Sequence, residues 1–229
     1  MWAKPARLWV NTGTTYQRWY STQIKSYFKL FPKNFPHGGP PQDSFIVNER
    51  SLRREYKALQ SESHPDKLIG SVNLSDASNK QQSGDLSTLI NRAYGCLKNP
   101  YTRICHIIKL YHPDHLDVSK DDVAKELISK FQSNSSEASF KYKDMLMTVL
   151  EAHEALELAN LEEDLDDLLT ENEARIGAAE EKINDILQNQ WPIECWDTLI
   201  MDAIKLKYWV NIRNGLKDWE PGKPVHLTH

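Results

Sequence analysis

The stretch Asn48-Glu49-Arg50-Ser51-Leu52-Arg53-Arg54-Glu55-Tyr56-Lys57-Ala58-Leu59-Gln60-Ser61-Glu62-Ser63-His64-Pro65-Asp66-Lys67 decides how the rest of the chain is read. Asn48 can cap a helix, because its side-chain oxygen accepts from the amides of the first turn. Pro65 stops that helix near Ser63, since a proline ring clashes with the preceding turn and donates no hydrogen bond. Leu52, Tyr56 and Leu59 fall on one face. Arg50, Arg53, Arg54 and Lys57 form a second row at i, i+3, i+4 and i+7. The first row packs and the second makes a basic stripe in solvent. On an isolated helix such a stripe is an ordinary solvated face; directly before His64-Pro65-Asp66 it becomes a candidate contact.

Working outward, a polar run rich in Ser, Asn and Gln, Gly70 to Gly84, reads as a loop. A second amphipathic helix follows, with Leu86, Leu89, Ile90, Ala93, Tyr94 and Leu97 on one face, and Asn99-Pro100 ends it. Two antiparallel helices joined by a loop that carries His-Pro-Asp are the expected first unit. A second His-Pro-Asp, His112-Pro113-Asp114, follows the shorter run Ile104, Ile107, Ile108, Tyr111. No long amphipathic partner comes after it. Pro113 therefore reads as a helix stop and Asp114 as a turn residue. His106, His112 and His115 match no familiar metal-ligand spacing, and no metal or cofactor is expected.

Charge is segregated along the chain. Residues 1–21 carry Lys4, Arg7 and Arg18 without an acid, and the first carboxylate is Asp43. Residues 22–118 are net +4 and residues 119–229 net −11, within an overall −4. A basic unit followed by an acidic one points to two partners of different charge. The opening segment mixes its cations with Trp2, Leu8, Trp9, Val10 and several Ser and Thr, the composition of a mitochondrial targeting segment. Three cysteines lack C-x-x-C spacing and read as free thiols of a reducing compartment. No apolar run reaches the ~20 residues of a membrane helix. Neither a phosphate-binding G-x-x-x-x-G-K-[ST] loop nor a hydrolase nucleophile motif is present. The expectation is no catalysis by this chain alone, no nucleic-acid partner and no membrane insertion.

The acidic half reads as helical throughout. A short helix is expected from about Lys120 to Phe131, a Ser/Asn-rich spacer from Gln132 to Ser139, and a long helix from near Phe140 with Leu146, Val149, Leu150, His153 and Leu156 on one broad face. A third pattern holds Ile176, Ala179, Ile183, Ile186 and Leu187. Pro192 then opens a last helix with Trp196, Leu199, Ile200, Ala203, Leu206 and Val210. Three long helices with short connections pack as an antiparallel bundle, so the fold class is all-α. Spacing alone does not say which side of Leu146 and Leu150 meets solvent.

Ser26-Tyr27-Phe28-Lys29-Leu30-Phe31-Pro32, the Leu52 to Gln60 run into His64-Pro65-Asp66, and Leu89 to Pro100 resemble the J domain of the HscB/Jac family. Leu146-Met147-Thr148-Val149-Leu150-Glu151-Ala152-His153-Glu154, Leu206-Lys207-Tyr208-Trp209-Val210-Asn211 and Leu216 to Lys223 resemble its C-terminal domain. The resemblance implies three units: a targeting segment at 1–21, a J domain at 22–118, and a scaffold-binding bundle at 119–229. It implies a co-chaperone whose His64, Pro65 and Asp66, with Arg50, Arg53, Arg54 and Lys57, engage a mitochondrial DnaK-type heat-shock chaperone and stimulate its ATPase. It also implies that an iron–sulfur cluster scaffold protein is held by Leu146, Leu150 and Tyr208, with Met145, Met147, Thr148 and Glu151 around them, in the mitochondrial matrix.

Overall fold

A computed structural model describes residues 26–63 and 77–223, with the backbone alone for residues 77–84 and for Asn134. Among the described residues a 3-10 turn, Tyr27–Leu30, precedes seven α-helices: α1 Glu49–Ser63, α2 Ala77–Lys98, α3 Pro100–Tyr111, α4 Asp121–Asn134, α5 Ser136–Leu158, α6 Asp166–Asn189 and α7 Trp196–Lys217. A second 3-10 turn, Glu162–Leu165, leads into α6. The all-helical expectation holds, with no strand among the described residues.

Local chemistry sets the helix ends. Asn48 caps α1, its Oδ1 accepting from the Ser51 amide at 3.0 Å. Asn99 closes α2 and opens α3, accepting from the Tyr101 and Thr102 amides, with Pro100 in the first helical position. Three boundaries differ from the sequence expectation. The polar run after Gly70 becomes helical at Ala77, so α2 is 22 residues long. The spacer before Phe140 is helical from Ser136, because Ser135 caps the Ala138 amide and Glu137 pairs with Lys141 one turn on. Pro192 does not open the last helix; it lies in the connection, behind a cis Trp191–Pro192 bond, and α7 starts at Trp196.

α7 is the central element. It packs against α3, α5 and α6, and α4 lies against α5. Its buried residues, among them Leu199, Ile200, Ala203, Ile204, Leu206, Val210 and Ile212, point in all directions, as a helix enclosed by neighbours must. One apolar core runs from Phe28, Phe31 and Phe45 through Leu52, Leu97, Ile104 and Ile108 to Ile183, Leu199 and Leu206. It crosses position 118 without a break.

Arg103 of α3 lies at the heart of that crossing and is 2% exposed. Its Nε donates to the Leu97 carbonyl at 2.8 Å and its Nη1 to the Phe45 carbonyl at 2.5 Å. Nη1 also reaches Glu180 of α6 at 3.2 Å, and the guanidinium lies 4.9 Å from the Phe45 ring centre. Burial pulls its pKa down, and the Glu180 carboxylate opposes that shift. Asn184 adds a second tie between the same segments, accepting from the Phe45 amide at 2.8 Å. Removing one partner of a buried ion pair leaves charge and carbonyls uncompensated. Arg103→Ala is expected to cost about 3 kcal/mol or more in urea unfolding followed by circular dichroism, whereas Arg54→Ala on the open face should cost no more than about 0.5 kcal/mol.

Candidate functional site

The first candidate surface is the α1–α2 hairpin. A polar ladder sets its register. Tyr56 Oη donates to Asn91 Oδ1 at 2.8 Å and Gln60 Nε2 to the same oxygen at 2.7 Å. Ser87 Oγ donates to Gln60 Oε1 at 2.8 Å. Pairing 56 with 91 and 60 with 87 is antiparallel, and Tyr56 stacks on Tyr94 with ring centroids 4.1 Å apart. Leu52 is fully buried, and Tyr56 and Leu59 pack against the core from its edge. Arg50, Arg53, Arg54 and Lys57 are all exposed. None of the four joins an ion pair among the described residues. His64, Pro65 and Asp66 follow directly on α1 in the chain and lie outside the described residues, as does the 1–21 segment.

Two carboxylates that the sequence hid hold the segment facing this hairpin. Glu55, between Arg54 and Tyr56, is 5% exposed. It accepts from the Lys33 and Asn34 amides at 2.8 and 3.1 Å and from the Asn34 side chain. Asp43, also buried, accepts from the Gly39 amide at 2.7 Å and the His37 amide at 3.0 Å. Gly39 must be glycine: its φ is 108° and a Cβ there would stand 2.4 Å from the Phe28 ring. No spacing rule finds Glu55, because its partners are backbone amides about twenty residues away.

The second candidate surface lies on α5. The buried stripe of this helix is Tyr142, Met145, Val149, Ala152 and Leu156. Leu150 is 62% and Met147 58% exposed. Leu146 is half-buried, Glu151 exposed and Thr148 intermediate. Tyr208 of α7 is half-buried beside them, its hydroxyl 2.9 Å from that of Tyr142. One expected contact is corrected. Met145 is 5% exposed and belongs to the core, since it stands three residues after Tyr142 and four before Val149 on the inward stripe. Phe140, where the sequence places the helix start, is 71% exposed on the same helix.

The histidines after α2 do not converge. His106 is buried, stacked on Tyr27 at 4.4 Å, and its Nε2 accepts from the Tyr27 amide at 3.0 Å. His112 caps α3, and its Nδ1 accepts from the Asp114 amide at 3.1 Å. His115 turns its Nδ1 to the Lys109 carbonyl. Pro113 and Asp114 are exposed at the helix stop the sequence called for. Among the described residues no three His, Cys, Asp or Glu side chains group as metal ligands.

The chain is similar to proteins of one class. The family model described as the HSCB C-terminal oligomerisation domain matches residues 141–217. The J-type co-chaperone JAC1, mitochondrial, of Saccharomyces cerevisiae is 26% identical over 204 residues, covering 89% of this chain and 94% of the relative. A co-chaperone protein HscB homolog of Neisseria meningitidis is 25% identical over 194 residues, covering 84% of this chain and 98% of the relative. Among solved structures, a Jac1 co-chaperone from Saccharomyces cerevisiae overlays with a TM-score of 0.58 at 24% identity, covering 90% of this chain and 99% of that one. The human co-chaperone HscB gives 0.55 at 21%, covering 84% and 81%, and shows the shared fold. All of these relatives are described as co-chaperones, the yeast one as J-type. Along most of its length the chain is similar to co-chaperones of the HscB/Jac type.

His106 gives this scaffold a pH signature. Burial, aided by Lys109, pushes its pKa down from 6.5 to about 4. The folded state therefore holds the ring neutral while the unfolded chain protonates it below pH 6.5. Stability is complete above that value and is lost as pH falls towards 4. His106→Gln, which keeps an acceptor for the Tyr27 amide, should flatten the fall in urea midpoint between neutral pH and pH of about 5.

Proposed function

We propose that this chain acts in the mitochondrion, in the matrix, as a tether. Its 119–229 unit binds an iron–sulfur cluster scaffold protein. Its 22–118 unit presents that cargo to a DnaK-type heat-shock chaperone and stimulates the chaperone's ATPase through His64, Pro65 and Asp66, promoting cluster transfer. The observation that carries the reading is the outward row Arg50, Arg53, Arg54 and Lys57 on a hairpin whose register leads directly into His64. Four exposed cations meet an acidic chaperone surface and raise the encounter rate more than the final affinity. The mitochondrial description of the yeast relative supports the compartment, and the acid-free start of the chain fits a targeting segment.

The scaffold face rests on Leu150 and Met147, with Leu146 and Tyr208 behind them and Glu151 and Thr148 at the rim. Large apolar groups held open to solvent in the middle of a packed helix are unusual in a monomer and favour a partner. They anchor the scaffold by burial, while neighbouring Glu151 and Glu154 select a basic partner surface. Because both faces belong to one molecule, scaffold bound to α5 is held at high effective concentration beside the chaperone, and the basic hairpin favours the chaperone state that hydrolyses ATP.

His64→Gln should abolish stimulation of the chaperone ATPase in a steady-state phosphate-release assay and leave scaffold affinity unchanged. Stimulation retained at the wild-type level would refute the role of the tripeptide. Replacing His112 should leave stimulation intact. Leu146, Leu150 and Tyr208 changed together to Ala should weaken scaffold binding about tenfold or more in calorimetric titration, without loss of ATPase stimulation by the free co-chaperone. A normal scaffold affinity in that triple variant, with helical content preserved, would refute the assigned face.

A further inference from the structure

Two ring contacts tie the end of α3 to the start of α7. Tyr111 meets Trp191 edge to face at 4.9 Å between ring centroids, and His112 meets Trp196 in the same way at 5.2 Å. Such contacts usually accompany burial of both rings. Here Tyr111 stays 39% and Trp191 36% exposed, and Pro113 and Pro192 beside them in the chain are exposed too. An edge-to-face pair covers one side of one ring, which leaves aromatic face open to solvent. Large aromatic groups held in this way are enriched where proteins meet partners.

The charge around these rings has one sign. Residues 110–119 and 183–204 hold six carboxylates and no lysine or arginine. Lys109 neutralises Asp117, and Lys182 neutralises Asp202. Asp114, Glu194 and Asp197 are exposed, and no lysine or arginine among the described residues pairs with them. Asp114 and Asp197 come from different segments yet act on the same ring. Burial pulls the His112 pKa down, and these two carboxylates oppose that shift. A ring pair that only closed a loop would need no free carboxylates at its border.

An open aromatic face edged by carboxylates suits a flat cation. A guanidinium stacks on the ring while its N–H groups donate to the acids, whereas an ammonium is a hydrated point charge without a face to stack. We propose that the Tyr111–Trp191 face, with Trp196, Asp114, Glu194 and Asp197 around it, docks an arginine-bearing basic segment of a partner protein. An arginine of that segment lies on the Trp191 ring, and the three carboxylates hold its charge and that of its neighbours. A nucleic acid or an anionic membrane would bring like charge to the same carboxylates and is repelled. The face shares no residue with the basic row of α1 or the apolar strip of α5, so it stands whether or not the tether reading does.

The test is a nuclear magnetic resonance titration of the isotope-labelled full chain at low salt. The probes are three synthetic peptides of equal length, in which glycines separate arginines, lysines or glutamates. The Trp191 and Trp196 indole N–H signals are followed. The arginine peptide should move both signals saturably, the lysine peptide should bind about threefold more weakly or worse, and the glutamate peptide should leave them in place. Trp191→Ala, read at Trp196, should weaken the arginine peptide about fivefold. Glu194→Gln combined with Asp197→Asn keeps every ring and should weaken it by a similar factor, about fivefold. No saturable shift, equal affinity for the arginine and lysine peptides, or indifference to the paired carboxylate change overturns the proposal. Binding that appears only after Arg7→Glu and Arg18→Glu would give the face to the chain's own opening segment. A sedimentation coefficient that depends on Glu194 and Asp197 would give it to a second copy. Either result overturns the partner assignment.

Discussion

The buried guanidinium of Arg103 is the constraint on which the arrangement turns. It bridges the end of α2 at Leu97, the loop carbonyl of Phe45 and the Glu180 carboxylate of α6. Taking such a charge out of water is costly, and only several hydrogen bonds with a counter-charge offset it. The cost is specific to one geometry: a small rotation of the hairpin against α6 would strip the cation of partners. Fixed ties of this kind select one arrangement where apolar packing alone tolerates neighbouring ones. The continuous core through α3 and α7 supplies the bulk of the burial, and Arg103 with Asn184 sets its alignment.

That alignment gives the two surfaces a defined relation. The hairpin turns its cations outward, and α5 turns Met147 and Leu150 to solvent on the acidic half of the chain. A loosely jointed pair of domains would still raise effective concentration, but a fixed pair adds orientation as well. The charge segregation visible along the chain thus becomes a spatial one: a basic face on the hairpin and an apolar face with acidic neighbours on α5.

Much of this was legible from residue spacing. The α1 limits follow from Asn48 and Pro65, and the exposed cationic row follows from the i, i+3, i+4, i+7 pattern beside Leu52 and Tyr56. The second His-Pro-Asp was readable as a helix stop because no long amphipathic helix follows it. What escaped were interactions between residues remote in sequence. Glu55 looks like a solvated acid in a charged helix, yet it is buried by backbone amides of Lys33 and Asn34. Arg103 looks like one of two cations on an apolar helix, and nothing local shows that Phe45 and Glu180 converge on it. On α5 the spacing allowed Leu146 and Leu150 to face either way. Packing against α7 resolved it, drawing Met145 inward and leaving Leu150 and Phe140 outside.

The most direct measurement of the central claim, that one buried cation holds the two faces in a single orientation, is the distance distribution between spin labels on α1 and on the acidic half. Labels at Lys57→Cys and Glu163→Cys, in a chain whose exposed Cys195 is changed to Ser and which is diluted with unlabelled protein, would report it by double electron–electron resonance. A single narrow distribution that broadens on Arg103→Ala is the result the account predicts. A broad or multimodal distribution in the otherwise native chain, or one indifferent to the loss of Arg103, would contradict it.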